Sequence, residues 1–68
     1  MSEYVYVIVD TTRDKAVKYY HRPNEVSKFI DLHCNFRGDN TEDYMIRIYG
    51  LDGNIKYITA DDWLKGKR

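Results

Sequence analysis

The sequence predicts an α+β fold: a single domain, ββαββ, whose four-stranded, mainly antiparallel sheet carries one helix packed on one face. Three observations predict it. Asp52-Gly53 separates two runs of alternating side chains within YMIRIYGLDGNIKYIT, residues 44–59, and Asp-Gly is a dipeptide suited to the positive φ angles of a tight hairpin turn. YVYVIV, residues 4–9, is apolar on both faces and rich in β-branched and aromatic side chains, as expected of an inner strand. Between the hairpins, Val26, Phe29, Ile30 and His33 recur at i, i+3, i+4 and i+7, the spacing of one helix face.

Taken in order, residues 4–9 form the first strand and residues 10–14 (DTTRD) a polar turn. Residues 15–21 (KAVKYYH) return as the second strand. A five-residue loop sets Val9 opposite Val17 and Val7 opposite Tyr19, which places Lys18 outside; a four-residue loop would bury it, because a one-residue slip exchanges the faces. Pro23 then excludes further pairing and suits the first turn of a helix, with Asn24 and Glu25 near its positive end. Leu32, Cys34 and Phe36 widen the apolar stripe, and Gly38 ends the helix. The acidic loop DNTED, residues 39–43, leads into the second hairpin.

A two-residue turn at Asp52-Gly53 pairs Ile48 with Tyr57 and Ile46 with Thr59 on the covered face. It pairs Arg47 with Ile58 and Tyr49 with Lys56 on the open one. Thr59 then caps a short helical turn with Asp62 at the capping-box position, and Trp63-Leu64 reach back to the core. Residues 66–68 read as a flexible tail. The first strand fits best beside the third, giving the order 2-1-3-4; a ubiquitin-like order, with first and last strands parallel, is the alternative.

A chain of 68 residues makes one domain, residues 1–68, with modest stability and little room for a buried active site. Eleven basic and eleven acidic residues leave no overall field to attract nucleic acid or membrane. The single cysteine excludes an internal disulfide and a redox pair. The N-terminal apolar run lacks a preceding basic stretch and is too short for a signal core or a membrane span. The expected location is cytoplasmic.

Chemistry-bearing clusters are few. His21, His33 and Cys34 do not make a recognised zinc spacing, and adjacent helix residues point about 100° apart. Cys34, His33 and Ser27 do not converge as a nucleophile and base. Asp61 and Asp62 are explained as a dipole-favourable helix start. Arg37-Gly38-Asp39 spells an integrin-binding tripeptide, but Gly38 already has a helix-ending role. No glycine-rich phosphate loop occurs. The expectation is no enzyme activity, no metal and no cofactor.

The face opposite the helix carries the functional expectation. In the registers above, Tyr6, Lys18, Tyr20, Met45, Arg47, Tyr49, Lys56 and Ile58 form the partner-binding set there, with Ile8 among them. Such a platform exceeds the scatter of ordinary surface apolar residues and calls for a cover. A second copy of the chain, forming a homodimer, is one cover. Another protein is the second, since Tyr, Met and Arg are enriched at interfaces. Single-stranded nucleic acid is the third, by base stacking on rings, although zero net charge and the lack of an RNP-type motif weigh against it.

The whole chain, with VYVIVD entering a hairpin, PNEVSKFI opening the helix and GLDGNIKYI in a second hairpin, resembles the short accessory proteins encoded by tailed bacteriophages. Many of those bind and inhibit a host or defence protein. The resemblance implies a non-catalytic inhibitor or adaptor that acts by occupying a surface.

Overall fold

The computed structural model describes residues 4–66. Its strands are β1 (Tyr4–Asp10), β2 (Lys15–Tyr20), β3 (Tyr44–Gly50) and β4 (Ile55–Thr59). They make one antiparallel sheet in the order β2-β1-β3-β4. The expected order is the observed one, and the ubiquitin-like alternative fails because the first and last strands are not neighbours. β1 lies inside the sheet, as its two apolar faces require.

Pro23 opens the helix α1 (Pro23–Ile30), where its fixed φ and missing N–H suit the first turn. The helix continues through Asp31–Phe36 with π-helical bonding, closed by the Arg37 N–H donating to the Leu32 carbonyl at 3.0 Å. Each π turn holds more residues than an α turn, so side chains drift off the 3.6-residue stripe. Cys34 still packs against the core. Phe36, expected on that stripe, is instead 84% exposed, and Leu32 is also exposed. Gly38, at φ +81°, ends the helix as expected.

The second helix, α2 (Ala60–Leu64), starts on Thr59, whose Oγ1 accepts from the Asp62 N–H at 3.1 Å, the expected cap. It turns Ala60 and Trp63 inward, where they join Ile8, Val26, Ile30 and Ile46 in the buried core. Trp63 Nε1 donates to Ser27 Oγ at 2.9 Å, tying α2 to α1. Leu64, expected beside Trp63 in the core, is exposed; neighbouring positions on so short a helix cannot both face inward. Of the expected C-terminal tail, Lys67 and Arg68 lie outside the described residues.

The second hairpin corrects the expected register. Gly50 N–H bonds the Asn54 carbonyl at 2.9 Å, leaving Leu51-Asp52-Gly53 as a three-residue loop. Gly53 has φ +86°, but among the described residues the only non-glycine with positive φ is Asp14, so Asp52 is not in the two-residue turn expected of it. Its carboxylate instead accepts from the Asn54 N–H at 3.1 Å and from Asn54 Nδ2 at 2.7 Å. Gly50 makes room for this arrangement: a Cβ there would stand 2.7 Å from Asp52 Oδ1. The extra loop residue pairs Ile46 with Ile58, Arg47 with Tyr57, Ile48 with Lys56 and Tyr49 with Ile55. Every β4 side chain therefore lies on the face opposite to the expected one.

The first hairpin keeps Val7 opposite Tyr19 and Ile8 opposite Lys18, but a bulge then brings Val9 opposite Ala16 rather than Val17. Its faces are also the reverse of those expected. β1 is apolar on both sides, so its own pattern cannot choose between them. β3 chooses: Ile8 pairs with Ile46 and Tyr6 with Ile48, and these even-numbered residues turn toward the helices. The covered face thus reads Tyr20–Tyr6–Ile48–Lys56 and Lys18–Ile8–Ile46–Ile58 across the sheet.

Candidate functional site

The open face is made by the complementary positions. Its central row runs Tyr19–Val7–Arg47–Tyr57 across all four strands. On one side of it lies Val5–Tyr49–Ile55, and on the other Ala16–Val9–Met45–Thr59. Tyr19 is 66% exposed and Tyr57 62%, and Ile55 is exposed as well. A shallow depression of about 280 Å3 on this side is lined by Val5, Val7, Ala16, Val17, Lys18 and Tyr19.

Of the residues expected to form this platform, Met45, Arg47 and Tyr49 stand on it. Tyr6, Tyr20 and Ile58, like Ile8, do not: they pack against the buried core. Lys18 and Lys56 pair with the covered-face residues Ile8 and Ile48, at the two outer strands of the sheet. The sequence reading missed Val5, Val7, Tyr19, Ile55 and Tyr57. The signal that could have found Ile55 and Tyr57 is Asn54, which provides a side chain to bond Asp52 and so lengthens the loop.

Arg47 is the only charged side chain in these rows. It sits on an inner strand, so its backbone is bonded on both sides. Its guanidinium lies over the Tyr57 ring at 6.0 Å from the centroid, near the outer limit for a cation–π contact. Its Nε is buried with no hydrogen-bond partner. Tyr49 chiefly favours its charged form, against desolvation, with smaller contributions from Tyr57 and Asp14. Among the described residues no carboxylate pairs with it. The face is therefore apolar and aromatic around one cation.

The covered side offers other features, all engaged internally. A depression of about 490 Å3 beside the start of α1 is lined by Tyr6, Pro23, Asn24, Ser27, Ile48 and Trp63, but its Ser27 hydroxyl already bonds Trp63 and the Pro23 carbonyl. His33 stacks on Phe29 with ring centroids 4.0 Å apart, and its Nδ1 lies 3.5 Å from Asp39 Oδ2. Asp39 Oδ2 also accepts from the Tyr44 hydroxyl at 3.0 Å. Burial, reinforced by the Asp39 and Asp43 carboxylates, pushes the Cys34 thiol up, the opposite of what an activated thiolate needs. Among the described residues no three His, Cys, Asp or Glu side chains gather as metal ligands, and no helix is long and apolar enough to cross a membrane.

Comparison of the chain with protein-family models, with curated proteins and with solved structures finds no match.

Proposed function

We propose that this protein is a non-catalytic protein-binding module that grips a partner protein through the open face of its sheet. As an inhibitor or adaptor, it would act by occupying the partner's surface. The observation that supports this reading is the central row, Tyr19–Val7–Arg47–Tyr57, with two rings well exposed and, among the described residues, no helix packed above it. Exposed tyrosines around an arginine are the composition of interface hot spots. Tyrosine also supplies contact area at low entropic cost.

A photo-crosslinking amino acid at position 57 should capture a partner protein in the native cell, while the same group at Phe36, which is more exposed than Tyr57, should not. Capture from position 36 alone would refute the proposal. Single-stranded nucleic acid is the rival occupant, since rings beside a cation can stack bases. One cation on the face is few for a phosphate chain, and such binding would fall steeply with salt through counterion release. Filter binding of oligonucleotides across a salt series separates the two.

A further inference from the structure

We infer that the partner protein delivers a carboxylate side chain, set among apolar neighbours, onto Arg47 at the centre of the open face. This rests on the face being the binding surface. The case begins with position: Arg47 lies in the central row, with Val7 and Tyr57 beside it and Met45 and Tyr49 before and after it on its own strand. Burying such a row against a partner removes the guanidinium from water. An unpaired charge there is strongly unfavourable. Among the described residues its rows contain no Asp or Glu, and Asp14, in the turn between β1 and β2, is the smallest of the influences on Arg47 and makes no ion pair with it. The acceptor must arrive with the occupant.

The unpartnered Nε points the same way. A buried donor without an acceptor is unfavourable, and an arriving carboxylate can satisfy it if the guanidinium turns to present its Nε edge. That edge, with one Nη–H beside Nε–H, matches the two oxygens of a carboxylate. A second copy of this chain is a poor occupant. A two-fold axis running along this row, or crossing it at Arg47, would set Arg47 against the partner copy's Arg47, and one crossing it between Val7 and Arg47 would set Arg47 against Val7. Among the described residues neither arrangement brings an acidic residue of the rows to the guanidinium. The complement is therefore an Asp or Glu flanked by aliphatic or aromatic groups.

The test is selection of random dodecapeptides displayed on phage against the folded protein, with the bound site located by amide and Arg47 Nε–H chemical shifts. Peptides mapping to β1, β3 and β4 should carry Asp or Glu beside apolar residues. Their affinity should fall about tenfold or more, a 1.4 kcal/mol change, on Arg47→Met or on exchange of the peptide acid for its amide. Arg47→Lys should keep part of it. Thermal melting of each variant checks that the fold is intact. Peptides that map to the face but lack an acid, or bind Arg47→Met equally, overturn the carboxylate and leave the face reading standing. Peptides that map only elsewhere, or no enrichment at all, overturn both. A sedimenting dimer that buries the face assigns it to a second copy, and salt-sensitive oligonucleotide binding there assigns it to nucleic acid; either result also overturns the inference.

Discussion

The two faces of this sheet start from nearly the same β1 side chains and end in different states. On the covered face, Ile8 lies between Lys18 and Ile46 and is fully buried beneath α1 and α2. On the open face, the adjacent Val7 lies between Tyr19 and Arg47 and remains partly accessible. Neighbouring residues of one strand thus serve two different ends, and composition does not separate them. What separates them is β3, where isoleucines at 46 and 48 alternate with Met45, Arg47 and Tyr49. The single strand with a clear period of two sets the inside for all the others.

The strongest way to break that comparison is to make the covered face as loose as the open one. Ile46→Ala, at a fully buried position, should destabilise the fold by about 3 kcal/mol through lost transfer energy and a cavity. In so small a domain that is a large part of the total, and urea denaturation would read it directly. Val7→Ala, across the same strand pair on the open face, should lose less than half as much. Equal losses would mean that the open face is packed as tightly as the core.

The next effect concerns the loop that assigns β4 to its faces. Gly53 holds φ +86°, a conformation that costs a residue with a Cβ about 1–2 kcal/mol. Gly53→Val should lower the unfolding free energy read from urea denaturation by that amount or more, β-branching adding to the strain. Asn54→Val is the sharper experiment, because it removes the side chain that bonds the Asp52 carboxylate and favours a two-residue Asp52-Gly53 turn flanked by Leu51 and position 54. Cross-strand amide contacts in this variant should shift toward pairing Ile48 with Tyr57, at a cost in stability. Retention of the pairing between Ile46 and Ile58 would mean that core packing, and not the loop, sets the register.

How much could be read from residues alone follows the same division. The element order and strand order were legible because Pro23, Gly38, the helix stripe and the inner-strand composition of residues 4–9 each have one good structural use. The Thr59 cap was legible for the same reason. The faces were not, because Asp52-Gly53 suits both a two-residue turn and a three-residue loop with glycine at its left-handed position. Asn54 decides between them by bonding the Asp52 carboxylate. For β1 the ambiguity is intrinsic, since Val and Tyr fill both faces. Met45, Arg47 and Tyr49 were placed correctly because β3 alternates; Tyr6, Tyr20 and Ile58 were misplaced because their orientation depends on pairings that their own strands do not encode. The exposure of Phe36 depends on a switch to π-helical bonding that no residue in 31–36 announces.

A smaller effect tests the polar edge of the covered side. Burial chiefly, and then the bond to Asp39, push the Tyr44 phenol up to about 12. Its ordinary value is about 10, so between these limits the folded chain keeps a proton that the unfolded chain releases, and stability falls as pH rises. The contribution is fully present below pH ~10 and lost through pH ~12. Burial raises Tyr20 as well, and its effect has the same sign. Tyr44→Phe should flatten the loss of stability between pH 9 and 11.5 by about 1 kcal/mol, allowing for partial exposure. An unchanged slope, read from urea midpoints at the two pH values, would show that Tyr44 does not drive it.

The smallest effect on stability carries the most information about the open face. Tyr57 is 62% exposed, so Tyr57→Ala removes little buried area and should change stability by less than about 1 kcal/mol, mainly through β-propensity. It also removes the ring beneath the Arg47 guanidinium, so the Arg47 Nε–H resonance should shift even though the fold does not. If the tyrosines of this row served packing within the monomer, Tyr57→Ala would lower the melting temperature as much as Val7→Ala. If they serve a partner, the variant keeps its melting temperature and loses crosslinking from the neighbouring position 55. The difference between those results follows from the open face having no helix of the described residues above it: a side chain there can be important to the molecule without being important to its fold.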